Sequence, residues 1–209
     1  STGISQHYGG MAASYQNILD LAAERNLIRP GDLTERGLPT VALTRLVRQG
    51  RLQRVGRGLY ALPDRPVSEH SALAEVALKH PQAIVCLLSA LRFHDLTTQS
   101  PFEVWLAIPN KARAPKMDYP PLRIMRFSGE ALNVGVEDHV IDGVPVRVTS
   151  VARTVADCFK FRNKIGLDVA LETLQEAWRA KRVSMDELWQ YATLRRVTNV
   201  MRPYMESLP

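Results

Sequence analysis

The stretch from Leu38 to Pro63 limits the possible folds of this chain more than any other part of the sequence. Its first half, LPTVALTRLVRQG, predicts a short amphipathic helix that ends at Gly50. Its second half, RLQRVGRGLYALP, predicts a tight two-stranded hairpin that turns at Gly56-Arg57-Gly58. From Arg36 to Pro63 there are six arginines and no acidic residue. A helix followed directly by a basic hairpin is typical of the recognition helix and wing of a winged helix-turn-helix, so the stretch indicates DNA binding.

The predicted helix has an inward and an outward face. Thr40 is expected to cap it, and at about 100° per residue Leu43, Leu46 and Val47 fall together toward the core. The opposite face carries Val41, Thr44, Arg45 and Arg48. Hydroxyl, methyl and guanidinium groups are the groups that read base edges and bind phosphates. The alternative is a solvated helix face with two incidental arginines, but the surrounding helix-turn-helix spacing favours DNA recognition.

The predicted hairpin extends the basic surface. The glycines on either side of Arg57 are expected to supply positive φ angles and to leave Arg57 exposed at the tip. An arginine in that place can enter a minor groove or bind a phosphate, and Arg54 would hold the DNA backbone beside it. The predicted DNA-binding residues are therefore Thr40, Thr44, Arg45, Arg48, Arg54 and Arg57.

Turn and cap residues predict the organisation of the chain around this stretch. Residues 14–63 are expected to form a winged helix-turn-helix domain, with earlier helices over Ser14–Asn26 and Asp32–Arg36. Residues 1–13 are polar and Gly-rich and are expected to form a flexible tail. The run Pro63-Asp64-Arg65-Pro66 predicts a stiff linker over residues 64–67.

Residues 68–209 are predicted to form a larger α+β domain with a small, mostly antiparallel sheet and C-terminal helices. Apolar runs predict strands at residues 102–108, 122–127, 136–141 and 144–148. Asp142-Gly143, between the last two, is the strongest short hairpin signal in the chain. Helices are predicted at residues 69–80, 151–162, 167–181, 185–193 and 197–205. Ser184 and Glu187 are expected to form a capping box.

Composition restricts the class of protein. A chain of 209 residues with 45% apolar and 23% charged residues is long enough for two domains with cores, and no run has the apolar length of a membrane span. No signal peptide is evident. A disulfide framework is not expected either, because the only cysteines, Cys86 and Cys158, stand alone in apolar surroundings. The sequence therefore predicts a soluble cytoplasmic protein with reduced core cysteines.

No arrangement of residues predicts a catalytic or metal site, and no cofactor is expected. The histidines lack metal-ligand spacing, and the chain has no GxSxG elbow or Gly-rich phosphate loop. Asp157, one turn after Arg153, is interpreted as an ordinary intrahelical partner. One basic segment of the second domain could add phosphate contacts or receive an acidic partner, and a solvated loop is the alternative. Its residues are Lys111, Arg113, Lys116 and Arg126, with Arg123 beside them.

Three runs of residues resemble the AbiEi-type antitoxins of bacterial type IV toxin–antitoxin, or abortive infection, systems. RLVRQGRLQRVGRGLYALP resembles their N-terminal domain, in which a recognition helix is followed by a Gly-Arg-Gly-apolar-Tyr wing. IVCLLSALRFHDLTTQSPFEVWLAIP and VPVRVTSVARTVADCFKF are similar to two stretches of their C-terminal domain, so the resemblance covers about residues 14–180. The resemblance implies a repressor of its own toxin–antitoxin operon whose C-terminal domain counteracts a nucleotidyltransferase-like toxin. It also implies that this toxin–antitoxin system serves antiviral defence.

The expected partners follow from the basic helix and hairpin and from the family resemblance. They are double-stranded DNA upstream of its own operon and that toxin, contacted directly or indirectly. The chain is expected to be a monomer or weak dimer in solution, and cooperative binding on DNA stays open. Two alternatives also stay open for the second domain: an interaction or dimerisation module unrelated to a toxin, and a cryptic enzyme.

Overall fold

The computed structural model describes residues 5–65 and 68–209, with side chains from Gly10 onward. The chain divides into two compact units. The first consists of the residues up to Glu75 together with Val140–Val144, and the second of Val76–His139 and Pro145–Pro209. The predicted linker at residues 64–67 falls within the first unit, and its last two residues lie outside the described ranges.

The first unit contains three helices followed by a two-stranded antiparallel sheet. The elements are α1 (Ser5–Arg25), α2 (Pro30–Glu35), α3 (Val41–Arg48), β1 (Gln53–Gly56) and β2 (Leu59–Ala61). This is the element order predicted for a winged helix-turn-helix. Its core lies where α1 meets the two shorter helices and the hairpin, and the most buried side chains are Ile18, Leu21, Ile28, Leu33, Leu43, Leu46 and Leu52.

Main-chain hydrogen bonds attach the short sheet to the connection between α1 and α2. The amide of Ile28 donates to the carbonyl of Tyr60 at 2.9 Å, and the amide of Tyr60 donates to the carbonyl of Ile28 at 3.0 Å. Since Tyr60 is the middle residue of β2, this isolated bridge fixes β2 against the helical core.

The first helix begins earlier than predicted. Residues 5–13, expected to belong to a flexible tail, are helical, and Ser14 lies inside α1. The Ser14 hydroxyl donates to the carbonyl of Gly10 at 3.0 Å, so it bonds back along the helix and does not act as an N-cap. The two glycines at positions 9 and 10 each cost helix stability, but the run MAASYQNILDLAAER that follows contains strong helix formers and a buried stripe. The first four residues lie outside the described ranges.

The second unit holds the other helices and most of a five-stranded sheet. The strands are β3 (Ile84–Val85), β4 (Val104–Pro109), β5 (Leu122–Phe127), β6 (Val136–Ile141) and β7 (Val144–Thr149). The helices are α4 (Ser71–Lys79), α5 (Leu87–Phe93), α6 (Val151–Lys160), α7 (Arg162–Ile165), α8 (Leu167–Arg179), α9 (Met185–Leu194) and α10 (Thr198–Glu206). The first half of α4 and the ends of β6 and β7 beside their turn are assigned to the first unit. The predicted α+β class is confirmed, and so is the capping box of Ser184 and Glu187 at the start of α9.

The sheet is mixed, and the expectation of a mostly antiparallel sheet is wrong. The strand order is β5-β4-β3-β7-β6, with β4–β5 and β3–β7 parallel and β3–β4 antiparallel. The parallel pair β4–β5 is possible because residues 110–121 carry the chain back to the start of β4 before β5 begins. The sequence shows a long loop there but not the edge of the sheet to which the chain returns.

The predicted hairpin between β6 and β7 is confirmed. Asp142 and Gly143 have φ angles of 51° and 77°, and positive φ at both central residues is the mark of a type I′ turn. Among the described residues, no helix is long and apolar enough to cross a membrane.

The core of the second unit lies between the sheet and α6, and α6 is buried almost along its whole length. Its Cys158, like Cys86 before α5, is fully buried. Burial raises the pKa of both thiols well above the usual range, and the carboxylate of Asp157 raises it further.

The two thiols of the folded protein are expected to resist alkylation and disulfide exchange at pH 8. The thiolate is the reactive form, and a raised pKa together with burial keeps both groups protonated and inaccessible. A colorimetric thiol assay should detect neither cysteine in native buffer and both after denaturation in guanidinium chloride. Rapid reaction of either thiol in the native protein would contradict this burial.

Candidate nucleic-acid interface

Helix α3 is bounded at each end by a residue that interrupts a helix. Pro39 precedes it, and Gly50 after it has a φ of 72°, which ends the helix in the left-handed region. Thr40 stands at the N-cap position, but its backbone is helical and its side chain makes no capping hydrogen bond, so the predicted capping role is wrong. The hydroxyl of Thr40 is exposed and remains available to a ligand.

The two predicted faces of α3 are confirmed. Leu43 and Leu46 are buried, and Val47 is partly buried. The outward residues Val41, Thr44, Arg45 and Arg48 are all exposed. The structure therefore brings a hydroxyl, two guanidinium groups and an apolar side chain together on one surface of a helix two turns long. Whether these groups contact DNA stays a prediction.

Arg45 is oriented by a residue that the sequence analysis did not single out. Its Nη1 lies 3.5 Å from the hydroxyl oxygen of Tyr15, a half-buried residue of α1 that packs on the core. This contact is long for a hydrogen bond, but it places the guanidinium of Arg45 against α1. The sequence spacing could have predicted this position, because Tyr15 lies three residues before the buried Ile18 and therefore on the same face of the helix.

The hairpin turns more tightly than predicted. Gly56 pairs with Leu59, so the turn consists of Arg57 and Gly58 alone, and Gly58 is the residue with positive φ, at 67°. Gly56 belongs to β1 and does not supply a positive φ, and the register shifts between Arg54 and Gly56. Arg57 is exposed at the tip, as predicted, while the Nε of Arg54 donates to the carbonyl of Gly56 at 3.4 Å.

Alanine at Gly58 is expected to lower the free energy of unfolding by about 1 kcal/mol, because an L-residue is strained in the left-handed region. No atom lies within 4 Å of the Cβ that would be added, so the cost belongs to the backbone. Gly31→Ala in α2 is the matched control, since nothing lies within 4 Å there either and its φ suits any residue. Urea unfolding should show the control unchanged or stabilised by about 0.5–1 kcal/mol. Equal effects of the two substitutions would contradict the assignment of the strained turn.

Five exposed arginines on α3, on the hairpin and in the connection between them have no acidic side chain within 4.0 Å among the residues that the structure describes. They are Arg45, Arg48, Arg51, Arg54 and Arg57. Arg51 was not predicted as a contact, although it lies in the same acid-free stretch. Arginines that lack an internal partner keep their charge available for phosphates, and the planar guanidinium suits bidentate contacts.

The basic segment of the second unit has a different organisation. Lys111, Arg113 and Lys116 are exposed on the loop between β4 and β5. The Nη1 of Arg126, however, donates to the carbonyls of Asn110 at 3.0 Å and Ala112 at 2.7 Å. Arg126 thus fastens the start of the loop to β5, which is a structural role that the sequence analysis missed.

A buried charged cluster in the second unit was interpreted too simply. Arg153 and Asp157 of α6 are an intrahelical pair, with the Nε of Arg153 3.0 Å from Oδ1 of Asp157, but both side chains are fully buried. The Nε of Arg195, just after α9, lies 2.8 Å from the same oxygen. Nothing in the local sequence around Arg195 points to this contact, because it depends on how α9 packs on α6.

The surroundings of this cluster are consistent with a structural role. Arg153 also donates to the carbonyls of Val134, at 2.6 Å, and Ala131. Arg195 lies over the ring of Phe127, with 4.5 Å between the guanidinium carbon and the ring centroid. Burial raises the pKa of Asp157 and lowers that of Arg195, while the attraction between the two groups opposes both shifts.

No group of three or more histidine, cysteine or acidic side chains capable of holding a metal ion occurs within the described ranges. His94 is buried, and its Nε2 lies 2.7 Å from the carbonyl oxygen of Thr149. Burial lowers the pKa of His94, which keeps the ring neutral at physiological pH.

The interface segment is similar to a known protein family. No curated protein matches the chain. Residues 16–63 match a protein family described as "Transcriptional regulator, AbiEi antitoxin". The matched segment contains the second half of α1 and all of α2, α3 and the hairpin, so it includes every exposed arginine of the candidate interface. The resemblance of the second unit to that family stays a prediction. Residues 16–63 of this chain are therefore similar to the AbiEi antitoxin family of transcriptional regulators.

Proposed function

We propose that this protein is a DNA-binding transcriptional repressor that recognises its operator with α3 and the β1–β2 hairpin. The observation that carries the proposal is a set of exposed arginines on and between these elements. They have no acidic partner among the residues that the structure describes, and Thr44 lies beside them on the outward face of α3. The match of residues 16–63 to a family of transcriptional regulators supports it.

In this mode of binding, α3 enters the major groove and the hairpin lies along the adjacent backbone. Thr44, Arg45 and Arg48 reach base edges or the phosphates beside them, since arginine pairs with guanine and threonine hydroxyls bond to either base type. Arg57 at the tip and Arg54 on β1 contact the backbone or a minor groove. The exposed hydroxyl of Thr40, before the first turn of α3, is placed for a phosphate.

The electrostatic part of this binding has an expected size. If each of the five exposed arginines neutralises one phosphate, the logarithm of the association constant should fall with the logarithm of salt concentration with a slope of about −4 to −5. Fluorescence anisotropy should measure it with a duplex taken from upstream of the gene, beside a scrambled duplex of equal length. Equal affinity for the two duplexes at 150 mM salt would overturn sequence-specific repression.

We also propose that the second unit counteracts a nucleotidyltransferase-like toxin encoded beside this gene, so that the repressor controls its own toxin–antitoxin operon. The AbiEi match supports the pairing of repression with an antitoxin, and the resemblance of residues 84–109 and 144–161 to the family's C-terminal domain supports the assignment to this unit. Contact with the toxin is direct or indirect in this proposal.

Co-expression with the neighbouring gene separates the two roles. The full chain with Arg45→Ala and Arg48→Ala should still protect cells from the neighbour's product, because the substitutions lie on α3 only. The toxin must be expressed from an unrelated promoter, so that loss of repression does not change its level. Failure of the double variant to protect would show that the second unit alone does not supply the antitoxic activity. Failure of the wild type would favour a dimerisation or interaction module unrelated to a toxin.

A further inference from the structure

The outward face of α3 includes one residue that the proposed arginine contacts do not explain. Val41, the first residue of the helix, has 60% of its surface exposed. A β-branched apolar side chain gains nothing from such exposure and is a modest helix former. The first turn of α3 also contains no acidic residue, although acidic side chains are favoured at that end of a helix. The exposed valine and the lack of an acidic residue are both unfavourable at a solvated helix end, and both suit a surface that contacts polyanionic DNA.

The helical phase places Val41 in the middle of the predicted contact surface. At about 100° per residue, Arg48 lies about 20° from Val41 when viewed along the axis. Thr44 and Arg45 lie on the two sides of that line. The central line of the surface therefore runs from a short apolar side chain at the N-terminal end to a long cationic one at the C-terminal end. This order suits a recognition helix whose N-terminal residues come closest to the bases.

The surroundings of Val41 are apolar as well. It borders a shallow cleft of about 390 Å³ between the first half of α1 and the start of α3. The cleft is also lined by Met11, Tyr15, Pro39 and Arg45, and Met11 is itself 42% exposed. Arg45, held against Tyr15, is the cationic group at the rim of this cleft. A methyl group that projects toward α3 would thus meet carbon atoms of Val41 on one side and the guanidinium of Arg45 beside it.

We infer that Val41 determines base specificity by packing on the 5-methyl group of a thymine in the major groove, next to the base pair or phosphate contacted by Arg45. Thymine is the one base that presents a methyl group in this groove, and apolar side chains are its usual partners. This inference rests on the proposed DNA binding and deepens it, because it names the base that the operator must contain beneath the first turn of α3.

The test uses a duplex that the wild-type protein enriches from a library of random sequences. Each thymine is replaced in turn by deoxyuridine, which lacks only the 5-methyl group. At one or two positions the replacement should weaken wild-type binding about threefold to tenfold, the range expected for burying one methyl group. The Val41→Ala variant should bind the thymine duplex correspondingly less well and should change less than twofold on replacement at the same positions.

A second exposed valine provides the matched control. Val140, in β6, has 73% of its surface exposed, and Val140→Ala should keep the full sensitivity of the wild type to deoxyuridine. Circular dichroism of both variants should show an unchanged fold, since neither side chain is buried.

The possible outcomes separate the inference from the proposed function. If no sequence is enriched, DNA recognition and the role of Val41 fail together. If a sequence is enriched but no deoxyuridine replacement weakens binding, or if the effect persists in Val41→Ala, the inference alone is overturned. Binding of Val41→Ala to all duplexes at the wild-type level would likewise overturn it.

Discussion

Alanine in place of Asp157 is expected to lower the free energy of unfolding by about 3 to 5 kcal/mol, the largest effect on stability that we predict for a single substitution. Both Arg153 and Asp157 are fully buried, and Arg195 is almost so. Removal of the shared carboxylate leaves two guanidinium groups close together in the core without a counter-charge. Their mutual repulsion and incomplete solvation have no compensation there.

Urea unfolding followed by circular dichroism should measure this loss. The matched control is Glu176→Ala, which also removes the acidic member of an arginine pair within one helix, Glu176–Arg179 of α8. The side chain of Arg179 is 78% exposed, so water replaces the lost partner and the control should lose about 1 kcal/mol at most. A loss below 1 kcal/mol for Asp157→Ala would contradict a buried, mutually dependent cluster.

The double substitution Arg45→Ala and Arg48→Ala is expected to weaken binding to the cognate duplex about a hundredfold or more. A base-edge or phosphate contact of an arginine contributes on the order of 1–3 kcal/mol, and two such contacts are lost. The salt slope should also become shallower by about two, since each lost phosphate contact removes about 0.9. Both side chains are exposed, so the thermal unfolding temperature should stay close to that of the wild type.

A control with the same change in net charge distinguishes local contacts from overall attraction. Lys160→Ala with Lys164→Ala removes two exposed positive charges from the second unit. That variant should lose only a small factor in affinity and should keep the slope of the wild type. If it weakens binding as much as the arginine variant does, the attraction is not localised on α3.

Features that depend on neighbouring residues in the chain could be predicted from the sequence. The phase of apolar residues in α3 predicted its buried and exposed faces, and Asp142-Gly143 predicted the turn between β6 and β7. The bounds of β5 coincide with the predicted strand at residues 122–127. In each case the deciding interactions lie within a few residues, so periodicity and turn chemistry carry the information.

Features that depend on distant parts of the chain could not be predicted. The parallel pairing of β5 with β4 is decided by where a loop of twelve residues returns. The contact of Arg195 with Asp157 joins residues almost forty positions apart, and the hydrogen bonds of Arg126 join β5 to a loop fourteen to sixteen positions earlier. At the candidate interface, the same limit applies to Tyr15, whose hydroxyl meets Arg45 thirty positions later.

The bridge between Ile28 and Tyr60 bears on how quickly the protein can engage DNA. An isolated hairpin with strands of four and three residues would be marginally stable in water and would have to become ordered at the moment of contact. The two main-chain hydrogen bonds to Ile28 remove that requirement, because β2 is already fixed to the helical core. The conformational entropy of the hairpin is thus lost during folding of the protein and not during association. The encounter rate should then depend on charge and diffusion, without a slow ordering step before the complex closes.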